Sequence, residues 1–271
     1  MANKKQPVRR PNNLKHPLIA LLTDFGSRDH YVGTMKGVIK SISPDTDIVD
    51  ITHEVTPHNV REAGYLLWAS YRYFPRRTVF VCIVDPAVGS SRKIIAAQTT
   101  SYTFVAPDNG LLDWVILQEN LTHSFEILRP PTALTEGISS TFHGRDIFAP
   151  LAANVSMGRP LGRFGKEFRM KKPGPFLYND SETSTPPQLL HIDRFGNIVT
   201  NIPERLFDKC VVGVGTTTIA NHIKHYAEAP DSIPCLIVGS SGLIEVVVKE
   251  GSAAQTLRAD LSTQITVGRF T

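Results

Sequence analysis

Pro17-Leu18-Ile19-Ala20-Leu21-Leu22-Thr23-Asp24-Phe25-Gly26 opens with an apolar run that stops abruptly at turn-forming and acidic residues. A run of that length reads as a strand buried on both faces, which belongs in a sheet covered by helices on each side. The sequence on either side bears on that reading. Val32, Met35, Val38, Ile39 and Ile42 recur at helical spacing and predict a helix over residues 31–41. Residues 47–51 form a short strand pattern. Residues 59–74 read as a helix with Ala63, Leu66, Leu67 and Ser70 on one face, closed by Phe74-Pro75. Residues 78–84 are again continuously apolar, 94–98 and 103–106 are strand-like, and helices begin near Leu111 and Arg145. This alternation predicts an α/β N-terminal domain with a mostly parallel central sheet over residues 17–172.

The pattern changes at Lys171-Lys172-Pro173-Gly174-Pro175. Residues 173–187 are polar and rich in structure breakers, as in a linker. Beyond them, residues 188–192, 197–202, 210–214, 217–220, 235–238, 243–248 and 264–267 are short β-type runs. They predict a smaller all-β, barrel-like C-terminal domain over residues 188–271, with a sandwich as the other arrangement.

Of the 271 residues, 41% are apolar and 20% charged, an ordinary soluble composition. The net charge is +4, but Lys4, Lys5, Arg9, Arg10 and Lys15 lie in residues 1–16, a basic stretch expected to be a disordered tail. Without it the body is near neutral, so no nucleic-acid surface is expected. Cys82, Cys210 and Cys235 are far apart and odd in number, which argues against a disulfide framework and for a reducing compartment. The apolar runs are strand-sized, so no membrane span is expected and the cytoplasm is the expected location.

Four segments carry chemistry-bearing residues. Asp24 follows a buried strand, where open α/β sheets bind ligands and a carboxylate can accept ribose hydroxyls; helix capping or turn formation fits it as well. Asp85 follows another buried strand, and the loop Pro86-Ala87-Val88-Gly89-Ser90-Ser91 can return Arg92 over it, as a structural ion pair or a site. His143 precedes a helix start, where a neutral imidazole is favoured and can orient water, though a lone His is more often structural and Arg145 and Asp146 fit as ordinary first-turn charges. Asp193-Arg194-Phe195-Gly196-Asn197 offers an aromatic face and an amide, or merely a turn. No HExxH, CxxC or Walker sequence is present. Spacing alone supports a nucleotide-binding α/β protein.

The order of the motifs says more. Leu22-Thr23-Asp24-Phe25-Gly26, Asp50-Ile51-Thr52-His53, Pro57-His58-Asn59-Val60-Arg61-Glu62-Ala63, Val84-Asp85-Pro86, Pro107-Asp108-Asn109-Gly110, Phe142-His143-Gly144-Arg145-Asp146 and Asp193-Arg194-Phe195-Gly196-Asn197 follow one another. Over about residues 18–255 the chain resembles the S-adenosyl-L-methionine (SAM) hydroxide adenosyltransferase family, relatives of the SAM-dependent fluorinase and chlorinase. The resemblance implies an enzyme that splits SAM into adenosine and L-methionine with water, using no metal and no cofactor. It implies a homotrimer with SAM held where one subunit's N-terminal domain meets its neighbour's C-terminal domain. The family's catalytic set falls on Asp85, Arg92 and His143, which separates hydrolases from halogenases. Substrate contacts fall on Asp24, Phe25, Asn109, Asp193, Phe195, Asn197, Ser240 and Val248. Ala87 stands where hydrolases usually carry Gly, and Gly239 stands in place of Asn. A SAM-dependent halogenase and a non-catalytic SAM- or adenosine-binding protein are the alternatives.

Overall fold

The computed structural model describes residues 16–131, 137–179 and 185–269. The basic tail lies, apart from His16, outside the described residues, as do residues 180–184 of the expected linker. The chain divides into two compact units, residues 1–173 and 174–271.

The described residues of the first unit form seven strands: β1 (Leu18–Thr23), β2 (Asp47–Thr52), β3 (Val79–Ile83), β4 (Ile94–Thr99), β5 (Thr103–Pro107), β6 (Leu121–Ile127) and β7 (Gly165–Glu167). They make one sheet in the order β2-β1-β3-β5-β4-β6-β7. Among the described residues four α-helices accompany it: α1 (Tyr31–Ile42), α2 (Val60–Ser70), α3 (Asp113–Gln118) and α4 (Ala149–Ser156). Every residue of β1 is buried, as its unbroken apolar run requires. Ile19, Leu21, Val79, Val81 and Ile83 share a core with Met35 and Ile39 of α1 and with Leu151 and Ala152 of α4. The alternate residues Ala20, Leu22, Phe80 and Phe104 are also buried, with Phe80 stacked on Phe104. Asn59 caps α2 by accepting the Glu62 N–H, and Glu62 reaches back to the Thr56 N–H.

The sheet is only half parallel. β2, β1, β3 and β5 pair in parallel, whereas β4 pairs antiparallel with β5 and β6, and β6 antiparallel with β7. The expectation of a mostly parallel sheet is corrected on that edge. Only Thr100, Ser101 and Tyr102 join β4 to β5, and so short a connection makes a hairpin rather than a crossover.

The second unit contains β8 (Leu189–Ile192), β9 (Ile198–Pro203), β10 (Cys210–Val214), β11 (Thr217–Ile219), β12 (Cys235–Val238), β13 (Leu243–Val247), β14 (Ile265–Arg269) and the short helix α5 (Ala253–Leu257). The strands form two antiparallel sheets, β12-β13-β9-β8 and β11-β10-β14. Ile198, Leu236, Ile244 and Val246 of the first meet Val212, Val214 and Ile265 of the second in one core. Among the described residues no hydrogen-bonded ladder joins the two sheets, so the unit is a pair of facing sheets where a barrel-like closure was expected. No described helix is long and apolar enough to cross a membrane.

Candidate active site

Parallel pairing of β1 with β3 sets Thr23 beside Ile83. Asp24 and Asp85, each just beyond its strand, therefore stand side by side at the C-terminal edge of the sheet, where α/β folds present ligand sites. Asp24 Oδ2 accepts the His58 N–H at 2.9 Å, and His58 holds a φ of 68° to make that bond. Thr23 Oγ1 accepts the Phe25 N–H at 3.2 Å and hydrogen-bonds His53 Nδ1 at 2.8 Å, which shapes the turn that presents Asp24.

Arg92 returns over Asp85 as the loop spacing allowed. Its Nε donates to Asp85 Oδ2 at 2.7 Å, and its Nη2 contacts the same oxygen. The side chains of Arg92 and Asp85 are only 10% and 5% exposed, so this is a buried ion pair rather than a surface one. Arg92 Nη2 also lies 2.8 Å from His143 Nδ1. A guanidinium only donates, so Nδ1 accepts and the ring proton of a neutral His143 sits on Nε2. Burial, and then the Arg92 charge, push the His143 pKa below 6.5, which agrees with the neutral ring. Asp85 Oδ1 is buried and has no hydrogen-bond partner among the described residues. A buried carboxylate oxygen in that state is an acceptor held ready for a donor.

Two glycines allow this approach. Gly89 has a φ of 81°, and a Cβ there would collide with the Ser140 carbonyl oxygen. Gly144 starts a π-helical turn, Gly144–Phe148, that leads into α4, and its missing Cβ leaves room for Met35, Phe142 and Phe25. Asp146 accepts the Ser139 N–H and pairs with Arg145, which ties the approaching segment to that turn. Asp24, Phe25, Asp85 and His143 line one cavity of about 300 Å³, with Tyr31 and Phe142 as aromatic wall.

The second unit carries its own cavity of about 720 Å³, lined by Phe195, Asn197, Tyr226 and Val248. Phe195 is 76% exposed, an aromatic face open for stacking. Asp193 Oδ1 accepts the N–H groups of Phe195 and Asn197, and Oδ2 accepts the Asn197 amide, each at 2.9 Å. Ser240 is exposed in the turn between β12 and β13. Asn109 donates its amide to the Val84 carbonyl and accepts the Leu111 N–H, so its side chain braces the strand end that carries Asp85. Tyr31 and Tyr226, one on each cavity, were not anticipated. Glu245, buried on β13, is a lone charge within Leu243-Ile244-Glu245-Val246-Val247. Among the described residues no three His, Cys, Asp or Glu side chains are grouped so as to hold a metal ion.

Comparison with known proteins agrees with both units. The model of the SAM hydroxide adenosyltransferase N-terminal domain matches residues 19–165, and that of the C-terminal domain matches residues 188–266. The chain belongs to the SAM hydroxide adenosyltransferase family. Among curated members, the (R)-S-adenosyl-L-methionine hydrolase of Thermus thermophilus is 34% identical over 250 residues, covering 88% of this chain and 94% of its own. That of Methanocaldococcus jannaschii is 33% identical over 270 residues, covering 92% and 95%. A fluorinase of Nocardia brasiliensis is 30% identical over 232 residues, covering 75% and 77%. The crystal structure of an uncharacterized conserved protein from Thermotoga maritima superposes with a TM-score of 0.82 at 37% identity, covering 92% of this chain and 99% of that one.

Proposed function

We propose that this family member is an enzyme that hydrolyses SAM to adenosine and L-methionine, with water attacking the ribose C5′. The observation that carries the reading is the chain of contacts Asp85–Arg92–His143, with Asp85 Oδ1 left open beside Asp24. Asp24 receives the ribose hydroxyls through the carboxylate oxygen that His58 does not hold. Water rests between Asp85 Oδ1, which accepts its proton, and His143 Nε2–H, which donates to its oxygen. Arg92 fixes both partners through its fork of donors. The C5′–sulfur bond breaks as the C5′–oxygen bond forms, and its electron pair neutralises the sulfonium. The leaving group is then neutral methionine, so no acid has to protonate it. A nucleophile gaining negative character approaches a cation, and that attraction grows as water is excluded.

Phe195, Asn197 and Val248 supply the adenine surface and Asp193 meets the methionine amine. The working assembly is a homotrimer in which the N-terminal cavity of one subunit is completed by a neighbour's C-terminal unit. The free, buried thiols of Cys82, Cys210 and Cys235 support work in the reducing cytoplasm. The Asp85, Arg92 and His143 set favours water over halide, against the fluorinase likeness. The test is Asp85→Ala assayed for adenosine formation and for SAM binding by calorimetry. Loss of a general base removes roughly 10²–10⁴-fold of turnover while binding persists. Near-normal turnover in the variant would remove Asp85 from the chemistry.

A further inference from the structure

The turn that carries Asp24 is gripped by the segment that follows β2. Gly26 N–H donates to the His53 carbonyl at 2.7 Å, His58 N–H donates to Asp24 Oδ2 at 2.9 Å, and the His53 ring meets the Thr23 hydroxyl. The first two bonds use backbone of residues 53 and 58 and do not depend on which side chains stand there. The third depends on the imidazole.

Thr23 ends an apolar strand and is fully buried, so its hydroxyl must find partners inside the protein. It accepts the Phe25 N–H at 3.2 Å and lies 2.8 Å from His53 Nδ1. On the far side of the ring, His53 Nε2 stands 3.0 Å from Asp50 Oδ1, in ion-pair contact but bent from a linear hydrogen bond. A carboxylate only accepts, so in the neutral ring the proton belongs on Nε2, and Nδ1 accepts from the Thr23 hydroxyl. That fixes the direction of the hydroxyl and leaves its lone pairs for Phe25 N–H. Asp50 Oδ2 is held in turn by Lys36 of α1 at 2.6 Å. The Lys36–Asp50 end is half-exposed and worth little alone. The His53–Thr23 end is buried, where a hydrogen bond is costly to break.

These contacts close a circuit. The chain runs from Thr23 through the turn and α1 to Lys36, and side chains lead back through Asp50 and His53 to Thr23. Inside the circuit lies Asp24-Phe25-Gly26. Asp24 Oδ2 already serves His58, so the aim of its other oxygen is set by the turn. We propose that His53 is a positioning residue: braced by Asp50, its ring holds the Thr23 hydroxyl, and with it the turn that aims the remaining Asp24 oxygen at the ribose hydroxyls. The assignment rests on the SAM-hydrolase reading, which gives Asp24 that contact.

The experiment measures, by calorimetry on the full chain, binding of adenosine and of 2′,3′-dideoxyadenosine, which lacks both ribose hydroxyls. Thr23→Val keeps the volume and removes the hydroxyl. His53→Ala removes the ring and keeps the backbone bond to Gly26. Thr23→Ser restores the hydroxyl, and His53→Asn restores an acceptor near the place of Nδ1. Thr23→Val and His53→Ala should weaken adenosine binding by roughly 10–100-fold, the size of hydrogen bonds to a charged group, and leave dideoxyadenosine binding unchanged. Thr23→Ser and His53→Asn should stay close to the wild type on both. Equal losses on the two nucleosides would show that the ring only supports the fold, and no loss on adenosine would show that Asp24 needs no such brace; either overturns the assignment. Thr23→Val preserves the packing, so it carries the test even if His53→Ala does not fold. A wild type that forms no adenosine from SAM would instead remove the hydrolase reading, and the assignment with it.

Discussion

Glu245→Gln should make the protein more stable at neutral pH. Burial and the Asp193 charge raise the Glu245 pKa from 4.5 to about 6. At about 1.36 kcal/mol per pK unit, that rise puts the ionised form at a disadvantage of about 2 kcal/mol in the folded state. The sign follows from proton binding. The folded carboxyl holds its proton more tightly than the unfolded one, so the disadvantage is absent below pH 4.5, grows between pH 4.5 and about 6, and is complete above that. A glutamine has no such dependence. Thermal melts of the two proteins at intervals from pH 4 to pH 8 should therefore nearly coincide at pH 4. They should separate by roughly 4–8 °C above pH 6, with the variant higher, for a chain of this size. A separation of the same size at every pH, or a variant that melts lower above pH 6, would show that the carboxyl is not held against its preference.

The remaining expectations concern the N-terminal cavity. On the proposed mechanism His143 works as the neutral ring, and burial and Arg92 lower its pKa from the usual 6.5. Protonation would set a cation against Arg92 and abolish the bond to Nδ1, so kcat should fall on an acid limb lying below pH 6.5, read from a pH–rate profile. An acid limb at or above pH 6.5 would contradict the arrangement. Gly89→Ala places a Cβ against the Ser140 carbonyl at a φ of 81°. It should lower stability by about 1–3 kcal/mol in denaturant melts and lower kcat by displacing Asp85 and Arg92.

The strand β1 was legible because six buried positions in succession leave an unbroken apolar run bounded by turn residues. The placement of Asp24 and Asp85 at strand ends was legible for the same reason. Their adjacency was not, because it arises from the parallel register of Thr23 with Ile83, which local pattern does not encode. The contact between Arg92 and His143 spans 51 positions and is created by a loop that needs Gly89 to approach Ser140. It entered through the order of the family motifs. The strand β6 escaped notice because Thr122 and His123 are both exposed, which breaks the alternation a half-buried strand would show. Asn109 was grouped with the substrate contacts, and its role in holding the backbone at Val84 and Leu111 was not legible. Glu245 shows the converse case, a charge legible inside an apolar strand whose space comes from Gly239, a neighbour that local pattern does not reveal.

The central claim is that water attacks C5′ of SAM at the Asp85, Arg92 and His143 cluster. The most direct measurement is turnover of SAM in H₂¹⁸O, with and without added chloride, followed by mass spectrometry of both products. The account predicts adenosine carrying one ¹⁸O at its 5′-hydroxyl, unlabelled methionine, and no effect of chloride. Intact SAM, a halogenated adenosine, or label in methionine rather than adenosine would contradict it.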